Sequence, residues 1–412
     1  MKMSAKRYNI LAVNPGSTST KIALFADTEI VKDISVSHAT SDLRQFASVS
    51  SQLSFRLQTI YSFLDTTAVS ALDAVAGRGG IVRPLASGVY RVNSRMLDDC
   101  MSAKYGEHAS TLGALIADAV AKRYSCPAFV ADPVVVDELA PVARISGHPE
   151  IERRSVFHAL NHKTAAREVA KQMGKAYEDC NFIVAHLGGG ISIGAHCKGR
   201  VIDVNNALGG QGPFSPERAG GLPSLQLVEL ACSKSSEADA FKKTIVGNGG
   251  VSAYCGTNDL LVLEKQREQG DEKAKAVYEA MAYQIAKEIA MHGATLSGRV
   301  DRIIITGGMA RDVKLVELIT TRVEFLAPVC VIPGEREMIS LKTQGVAGTR
   351  SAGLNTTALP KASEGAIFQA GIAMGKFHGQ MRPTTPTGSR VIVTSTLGRT
   401  EANCVPSMRK AS

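Results

Sequence analysis

Three loops of small residues are the places where the backbone of this chain can approach a ligand most closely. In chain order they are Asn14-Pro15-Gly16-Ser17-Thr18-Ser19-Thr20-Lys21, His186-Leu187-Gly188-Gly189-Gly190 and Thr306-Gly307-Gly308. Small side chains leave backbone N–H groups open to anions, and the hydroxyls and ammonium of the first loop add donors for phosphate oxygens. The first loop lacks the GxxxxGK[ST] spacing of a Walker loop. Each loop alone also fits an ordinary tight turn, but the three together favour phosphate binding.

Two arginines and a histidine pair have residue types and neighbours suited to chemistry. Arg78 and Arg218 lie in Ala-Gly-Arg-Gly-Gly and Ser-Pro-Glu-Arg-Ala-Gly. A guanidinium binds carboxylate or phosphate through two parallel hydrogen bonds and stays charged, although a surface-loop arginine is the alternative for Arg78. His158 and His162 have the HxxxH spacing of a zinc-binding helix face, but a third ligand and the HExxH glutamate are missing. Zinc is therefore disfavoured, as the absence of any CxxC pair among the eight cysteines also indicates.

An internal repeat supplies the elements that must position these loops. Residues 9–33 and 181–203 each read as an apolar strand, a small-residue turn, an alternating second strand, a polar turn and a third strand. Apolar residues recur at helical spacing over residues 274–293, and a buried strand ending in Gly307 and Gly308 follows. This order suits a backbone loop pressed against a flat ligand such as adenine. Two related α/β units are expected, with helices packed on their sheets.

Length and charge limit the classes of function. A chain of 412 residues predicts two domains. Of the formal charge of +9, residues 341–412 carry +7, from nine Lys or Arg and two acids, so the first 340 residues carry 9 − 7 = +2. The body of the protein is nearly neutral, which disfavours a nucleic-acid partner. No apolar run reaches the length of a membrane span or a signal-peptide core, so a cytoplasmic protein without a membrane partner is expected.

A series of sequence blocks resembles the acetate kinase family, within the superfamily of acetate and sugar kinases, heat-shock ATPases and actin. The blocks are NPGSTSTK, AGRGGIVRP, YRVNSRML, ADPVVVDELAPVARISGHPEIERRSVFHALNHK, HLGGGISIGAH, NNALGGQGPFSPERAGGLP and VDRIIITGGMA. Within the family the likeness is greatest to the butyrate kinases. The resemblance implies an α/β fold of two ribonuclease-H-like (actin-like ATPase) domains that face a nucleotide cleft.

The resemblance also implies roles for individual residues. Catalytic roles are implied for Arg78, Asp132, His158 and Arg218. Nucleotide binding is implied for Asn14, Ser17, Thr18, Ser19, Lys21, His186, Gly188, Gly189, Gly190, Gly307 and Gly308. Magnesium ligands are implied to be Asn14 and one of two glutamates, Glu335 or Glu337. His158 is expected to steady the transferring phosphoryl group, whereas His162 is expected to cap or pack, and a buried hydrogen-bonded histidine is the alternative for His186.

The implied reaction is direct in-line transfer, butanoate + ATP = butanoyl phosphate + ADP, with ATP/ADP and Mg²⁺ as cofactors. A carboxylate is already ionised at neutral pH and needs no general base, so a site rich in Arg, His and donors is expected. Apolar Ile81 and Val82 follow Arg78 where acetate kinases have a histidine, which favours a wider acyl pocket. Acetate or a branched-chain acid stays open as the substrate, and so does a catalytically silent ATP-binding protein. Family likeness also implies a homodimer or higher homo-oligomer.

The sequence predicts an N-terminal actin-like domain of residues 1–155 and a C-terminal one of residues 156–340. After Glu337 the chain departs from the family pattern. Residues 341–361 are rich in Gly, Thr, Ser and Ala and are interpreted as an insertion. Residues 362–377 are expected to form a helix that returns to the first domain, and residues 378–412 a disordered basic tail. This changed C-terminus is the reason for the silent alternative.

Overall fold

Two β-sheets, each built on an antiparallel three-stranded meander, organise the fold. The computed structural model describes residues 7–354 apart from Thr28 and Ala68. The strands are β1 (Asn9–Pro15), β2 (Ser19–Ala26), β3 (Glu29–Ser37), β4 (Ala74–Arg78), β5 (Val89–Arg91), β6 (Ala128–Ala131), β7 (Asn181–Leu187), β8 (Ile191–Cys197), β9 (Arg200–Val204), β10 (Arg302–Gly307) and β11 (Val329–Pro333). The described residues belong to one compact unit.

The two sheets share one topology over five strands, and the first has β5 as an additional antiparallel edge strand. The first has the order β3-β2-β1-β4-β6-β5, and the second reads β9-β8-β7-β10-β11 from its meander edge. In each, the first strand pairs antiparallel with the second strand of its meander and parallel with the strand on its other side. The predicted repeat of residues 9–33 and 181–203 therefore corresponds to β1–β3 and β7–β9. The domain boundary at residues 155 and 156 stays a prediction, in which each domain would hold one sheet.

Helices cover the sheets. They are α1 (Thr40–Arg44), α2 (Leu53–Asp65), α3 (Ser94–Ser102), α4 (Leu112–Arg123), α5 (Pro141–Arg144), α6 (Ala159–Gln172), α7 (Ser224–Ser233), α8 (Ala238–Ile245), α9 (Val251–Cys255), α10 (Leu260–Glu268), α11 (Glu272–Thr295), α12 (Val313–Val323) and α13 (Glu337–Leu354). Among the residues that the structure describes, none of these helices is both long and apolar enough to span a membrane.

Alternation along the central strands explains why both faces of each sheet are covered. In β1, Leu11 and Val13 belong to the core formed with α2 and α4, whereas Ile10 and Ala12 belong to a second core that includes Leu341 of α13. In β7 the odd-numbered residues face α11 and α12, and the even-numbered ones pack with α6. Strands that are buried on both faces read as continuous apolar runs, as parallel sheets require.

The helix that returns to the first sheet begins earlier than the sequence predicted. Residues 341–354, interpreted as part of an insertion, belong to α13, which packs on β1 and β4. A Cβ on Gly345 would lie 2.8 Å from Ile10, and one on Gly348 would lie 2.9 Å from Phe129. Two of the small residues that gave the segment its loop-like composition, Gly345 and Gly348, thus lie on the contact face of a closely packed helix. The predictions for residues 362–377 and 378–412 lie outside the described residues.

Candidate functional site

The carboxyl ends of the parallel strands in both sheets converge on one site. Asn14 and Arg78 lie near the ends of β1 and β4, and His186 and Thr306 near the ends of β7 and β10. Ligands of open α/β sheets bind at this edge. A cavity of about 40 Å³, enough for more than one water-sized group, opens here. Its wall is formed by Arg78, Ile81, His108, Val134, Val156, Phe157, His158, Ala207, Leu208 and Arg218.

Arg78 is held by the first residue of α13. Its guanidinium forms an ion pair with Glu337, with Nη2 3.0 Å from Oε1, and donates from Nη1 to Asn14 Oδ1 at 3.3 Å. The amide of Asn14 donates a short hydrogen bond to Glu337 Oε2. Burial, and then repulsion by Glu335, raises the pKa of Glu337, although Arg78 opposes the shift. A strand end and a helix start from distant parts of the chain therefore fix this arginine.

Arg218 explains one glycine of the second loop. Its side chain crosses the backbone of Gly190, where any Cβ would overlap with the guanidinium. Arg218 Nη1 donates to the carbonyl oxygen of Ala207 at 2.7 Å, and Ser215 Oγ donates to that of Gly189 at 2.6 Å. Burial lowers the pKa of Arg218, and Glu217 opposes this. The glycine loop thus lets an arginine reach the cavity across it.

His158 and His186 form a stacked pair beside the arginines. Their ring centroids are 3.9 Å apart and their planes differ by 17°. Burial lowers the pKa of His158 well below its usual range, and the positive charge of Arg78 acts in the same direction. Burial also lowers the pKa of His186 to about 4. Both rings are therefore neutral at pH 7, and His158 can donate a hydrogen bond without adding charge.

A buried arginine that the sequence did not indicate binds the backbone carbonyl groups of the first loop. Arg56 of α2 is fully buried and donates from Nη1 to the carbonyl of Ser19 at 2.7 Å and from Nη2 to that of Ser17 at 3.2 Å. The backbone N–H of His38 donates to the carbonyl of Thr18 at 2.8 Å. These bonds fix the loop from within the protein, and Thr20 Oγ1 is also bonded to Arg56 and His38. The exposed Ser17 and Thr18 side chains can take a ligand.

The remaining loop residues have separate constraints. Lys21 forms an ion pair with Glu335 at 2.5 Å. Gly307 has a φ of +95°, and a Cβ there would collide with the carbonyl of Leu187, so only glycine fits. Gly308 has open space beside it, with nothing described within 4 Å of an added Cβ. Gly188 lies against His186, and Gly189 faces Glu217.

Among the described residues, the hydrogen-bond partners of Asp132 do not include Arg78 or Arg218. Its Oδ1 accepts from Ser87 Oγ at 2.6 Å and from the backbone N–H of Gly88 at 2.9 Å. Its Oδ2 lies 3.4 Å from Nη1 of Arg167 in α6. None of these three partners lines the cavity. The described contacts tie β5, β6 and α6 together at this residue, and the catalytic role of Asp132 stays a prediction.

Comparison with known proteins decides the family. A model of the Acetokinase family matches residues 148–358. A probable butyrate kinase of Coprothermobacter proteolyticus is 51% identical over 337 residues, which cover 81% of this chain and 95% of that protein. Butyrate kinase 2 of Clostridium acetobutylicum is 46% identical over 337 residues, covering 81% and 95%. The chain belongs to the acetokinase family.

The fold of this acetokinase-family chain is similar to that of a solved relative. The crystal structure of Porphyromonas gingivalis acetate kinase matches with a TM-score of 0.68 at 17% identity, covering 82% of this chain and 99% of that one. The predicted family, the predicted kinase class and the predicted α/β, actin-like fold are thereby confirmed.

Several cavity residues of this acetokinase-family chain were not predicted. His108 lines the cavity, and its Nδ1 accepts from the backbone N–H of Ser110 at 3.2 Å. Burial, together with the charges of Arg78 and Arg218, lowers the pKa of His108 to about 4. Val134, Val156, Phe157 and Leu208 form the apolar wall with Ile81 and Ala207. Only Ile81 lay in a segment that the sequence had linked to the acyl pocket.

The residues expected to bind magnesium fit a site with few protein ligands. Among the described residues, no group of three or more His, Cys, Asp or Glu is placed to hold a metal. Glu335 is instead close enough for its charge to raise the pKa of Glu337, and Asn14 adjoins Glu337. Mg²⁺ commonly takes only one or two protein carboxylates and completes its shell with phosphate and water. These residues fit that arrangement and do not fit an all-protein cage.

Proposed function

We propose that this protein transfers the terminal phosphoryl group of ATP to the carboxylate of a short-chain fatty acid, with butyrate as the expected substrate. Relatives named butyrate kinase, which cover 81% of the chain at 46% identity or more, support the reaction class. The cavity supports the choice of acid. It combines two arginines and a neutral histidine with an apolar wall, which suits a small molecule that has one anionic end.

The cavity lining is the observation that carries the proposal. Arg78 lies in the half of the chain that holds the first sheet, and Arg218 lies in the half that holds the second. Both arginines line one cavity with His158. A fatty-acid carboxylate is ionised at neutral pH, so it can attack phosphorus without a base. The apolar side chains at the same cavity match the alkyl chain. Each buried methylene contributes about 0.8 kcal/mol to binding. The two additional methylenes of butyrate would therefore favour its binding over that of acetate by roughly tenfold or more.

The proposed step moves one phosphoryl group in line. A carboxylate oxygen forms a bond to the γ-phosphorus, the bond from that phosphorus to the β–γ bridging oxygen breaks, and ADP leaves with the electron pair. The guanidinium groups of Arg78 and Arg218 offset the charge on the moving group, and His158 donates a hydrogen bond to it. Magnesium, when bound to the nucleotide near Glu335, Glu337 and Asn14, supplies further positive charge at the phosphates.

The three loops are the proposed nucleotide site. Ser17, Thr18, Ser19 and Lys21 offer donors for the phosphates, as do the backbone N–H groups of residues 188–190. The open backbone at Gly308 is suited to a flat base packed against it. The proposed clamp uses Lys21 of the first sheet and the glycine loops of the second.

A hydroxamate assay tests the proposal. Purified protein with ATP, Mg²⁺, hydroxylamine and one straight or branched acid at a time should accumulate the hydroxamate of that acid, and butyryl hydroxamate should form from butyrate. No hydroxamate from any acid of two to six carbons would overturn it. Arg218→Ala should lower kcat by at least about 100-fold, as loss of a charge-stabilising donor does. Arg299→Ala is the matched control because Arg299 is exposed and lies outside the cavity lining.

A further inference from the structure

A chain of hydrogen bonds leads from the cavity into the second sheet. His158 Nδ1 lies 2.9 Å from Ser192 Oγ, which lies 2.9 Å from His162 Nε2. His162 Nδ1 lies 3.3 Å from His196 Nε2, and His196 Nδ1 lies 2.7 Å from Tyr177 Oη. Apart from His158, which lines the cavity, all of these residues are buried. The proposed reaction uses only the first of them.

The backbone carbonyl group of Ser192 determines which ring nitrogen of His162 carries hydrogen. His162 Nε2 also lies 3.2 Å from the backbone oxygen of Ser192. A carbonyl oxygen only accepts, so Nε2 of His162 carries hydrogen. Burial lowers the pKa of His162 well below its usual range. The ring is therefore neutral, and its Nδ1 has no hydrogen and must accept one from His196.

The same reasoning extends to both ends of the chain. His196 donates from Nε2 and is neutral because burial lowers its pKa, so its Nδ1 accepts from the phenol of Tyr177. Burial raises the pKa of Tyr177, which keeps that phenol protonated. At the other end, Ser192 Oγ accepts from His162 and, at 3.4 Å, from the backbone N–H of His158. Its one hydrogen is left for His158 Nδ1.

We propose that Tyr177, His196, His162 and Ser192 are positioning residues that hold His158 as its neutral Nε2–H tautomer. All the hydrogen bonds then point the same way, from Tyr177 to His158. The nitrogen that is not bonded to Ser192 carries the hydrogen, so His158 offers the reacting phosphoryl group a donor and cannot act as a base there. The role of this hydrogen-bond donor in phosphoryl transfer rests on the proposed function, whereas the assignment of the tautomer does not.

The opposite tautomer would be costly for a definite reason. With hydrogen on His158 Nδ1, Ser192 Oγ would have to accept a third hydrogen bond, and its own hydroxyl hydrogen would lose its acceptor. A buried donor without a partner destabilises the folded state. His158 Nε2 would also turn a lone pair toward anionic oxygens. Both effects favour the Nε2–H form.

Nitrogen-15 NMR of histidine-labelled full-length protein without ligand tests the tautomer directly. The chemical shifts of the two ring nitrogens report which one carries hydrogen, and His158→Asn identifies the His158 signals. Hydrogen on Nε2 of His158, His162 and His196 is expected at about pH 7.5. Hydrogen on His158 Nδ1, or a charged His158 ring, would overturn the assignment, whether or not the protein is a kinase.

Two variants test the positioning role. Ser192→Ala should change the ring-nitrogen signals of His158 and lower kcat about 10- to 100-fold while KM for acid and ATP changes little. Tyr177→Phe, at the far end, should alter the signals of His196 and His162. Ser340→Ala is the matched control, because Ser340 is a buried serine outside this chain of bonds that accepts from Thr164 Oγ1 at 2.8 Å.

The outcomes separate the two proposals. Unchanged kcat in Ser192→Ala, in an enzyme that makes acyl phosphate, would refute the positioning role. Equal losses in Ser192→Ala and Ser340→Ala would likewise reduce it to a general packing effect and count against it. If the wild-type protein makes no acyl phosphate, the proposed function fails, and the nitrogen signals still decide the tautomer.

Discussion

Arg78 Nη2 lies 3.0 Å from Glu337 Oε1, so the strand that ends at the cavity is joined by an ion pair to the helix that closes the first sheet. The partners are separated by 259 residues in the sequence. Both side chains are largely buried, with 15% of Arg78 and 3% of Glu337 exposed. The position of a predicted catalytic arginine therefore depends on the last helix of the described chain.

We expect Arg78 and Glu337 to be energetically coupled. Removing one partner leaves a buried charge without compensation, so Glu337→Gln should lower the free energy of unfolding by about 3 kcal/mol. A double-mutant cycle with Arg78→Met, followed by urea unfolding, should give a coupling energy of at least about 1 kcal/mol. The exposed pair Lys314 and Glu317 is the control and should give under about 0.5 kcal/mol. Additive effects at Arg78 and Glu337 would contradict the expectation.

The close packing of α13 on the first sheet predicts a second stability effect. Gly345→Val should lower the free energy of unfolding by about 1–3 kcal/mol, because a Cβ there already lies 2.8 Å from Ile10. Ala347→Val places the same side chain on an exposed position of the same helix. It should cost less than about 1 kcal/mol, from helix propensity alone. Equal urea midpoints for the two variants would mean that α13 does not pack as described.

Local patterns were enough to predict the strands, and long-range packing explains the error in α13. The two meanders could be predicted because alternation and small-residue turns lie within about 25 residues of sequence each. Gly345 and Gly348 weaken a helix in isolation, so composition favoured an insertion. The close packing that these glycines allow can be recognised only in the fold, where Ile10 and Phe129 lie opposite them. Packing outweighs propensity in this segment.

For the site too, the residues marked by a local pattern could be predicted, and those brought together by the fold could not. Arg78, His158 and Arg218 stood out because each lies beside glycines or in a motif. The apolar wall did not, because Val134, Val156 and Leu208 come from separate segments that the fold brings together. Arg56 was missed because a single arginine on a helix normally points to solvent. No local pattern marks the carbonyl oxygens that it binds.

Filling the cavity should change the preferred acid. Val156→Phe adds bulk to the apolar wall, so kcat/KM for butyrate should fall at least about tenfold while that for acetate changes less than about threefold. Val142→Phe is the control, since Val142 is 80% exposed and outside the cavity. The measurement is the hydroxamate rate over a concentration series of each acid. A parallel loss for both acids would show that the alkyl chain does not lie against Val156.

Arg56 should act on nucleotide binding without touching the nucleotide. Arg56→Lys keeps a charge but loses the fork that spans the carbonyls of Ser17 and Ser19. The first loop should loosen, and KM for ATP should rise about tenfold while KM for the acid stays nearly constant. Arg44→Lys, at an exposed helix position, should leave both constants unchanged. An equal rise in both KM values in Arg56→Lys would indicate a general structural defect instead.

Buried neutral histidines should make the protein sensitive to mild acid. The folded protein holds the pKa of His186 at about 4, because burial disfavours the charged ring, whereas an unfolded histidine takes up its proton near pH 6.5. The unfolded state therefore binds more protons between these values, and stability is lost as the pH falls from about 6.5 to about 4. One such histidine contributes about 1.4 kcal/mol per pH unit. In His186→Gln the slope of unfolding free energy against pH, from urea titrations between about pH 6 and pH 5, should be shallower by about 1 kcal/mol per pH unit. An unchanged slope would mean that His186 is already protonated in the folded protein within that range.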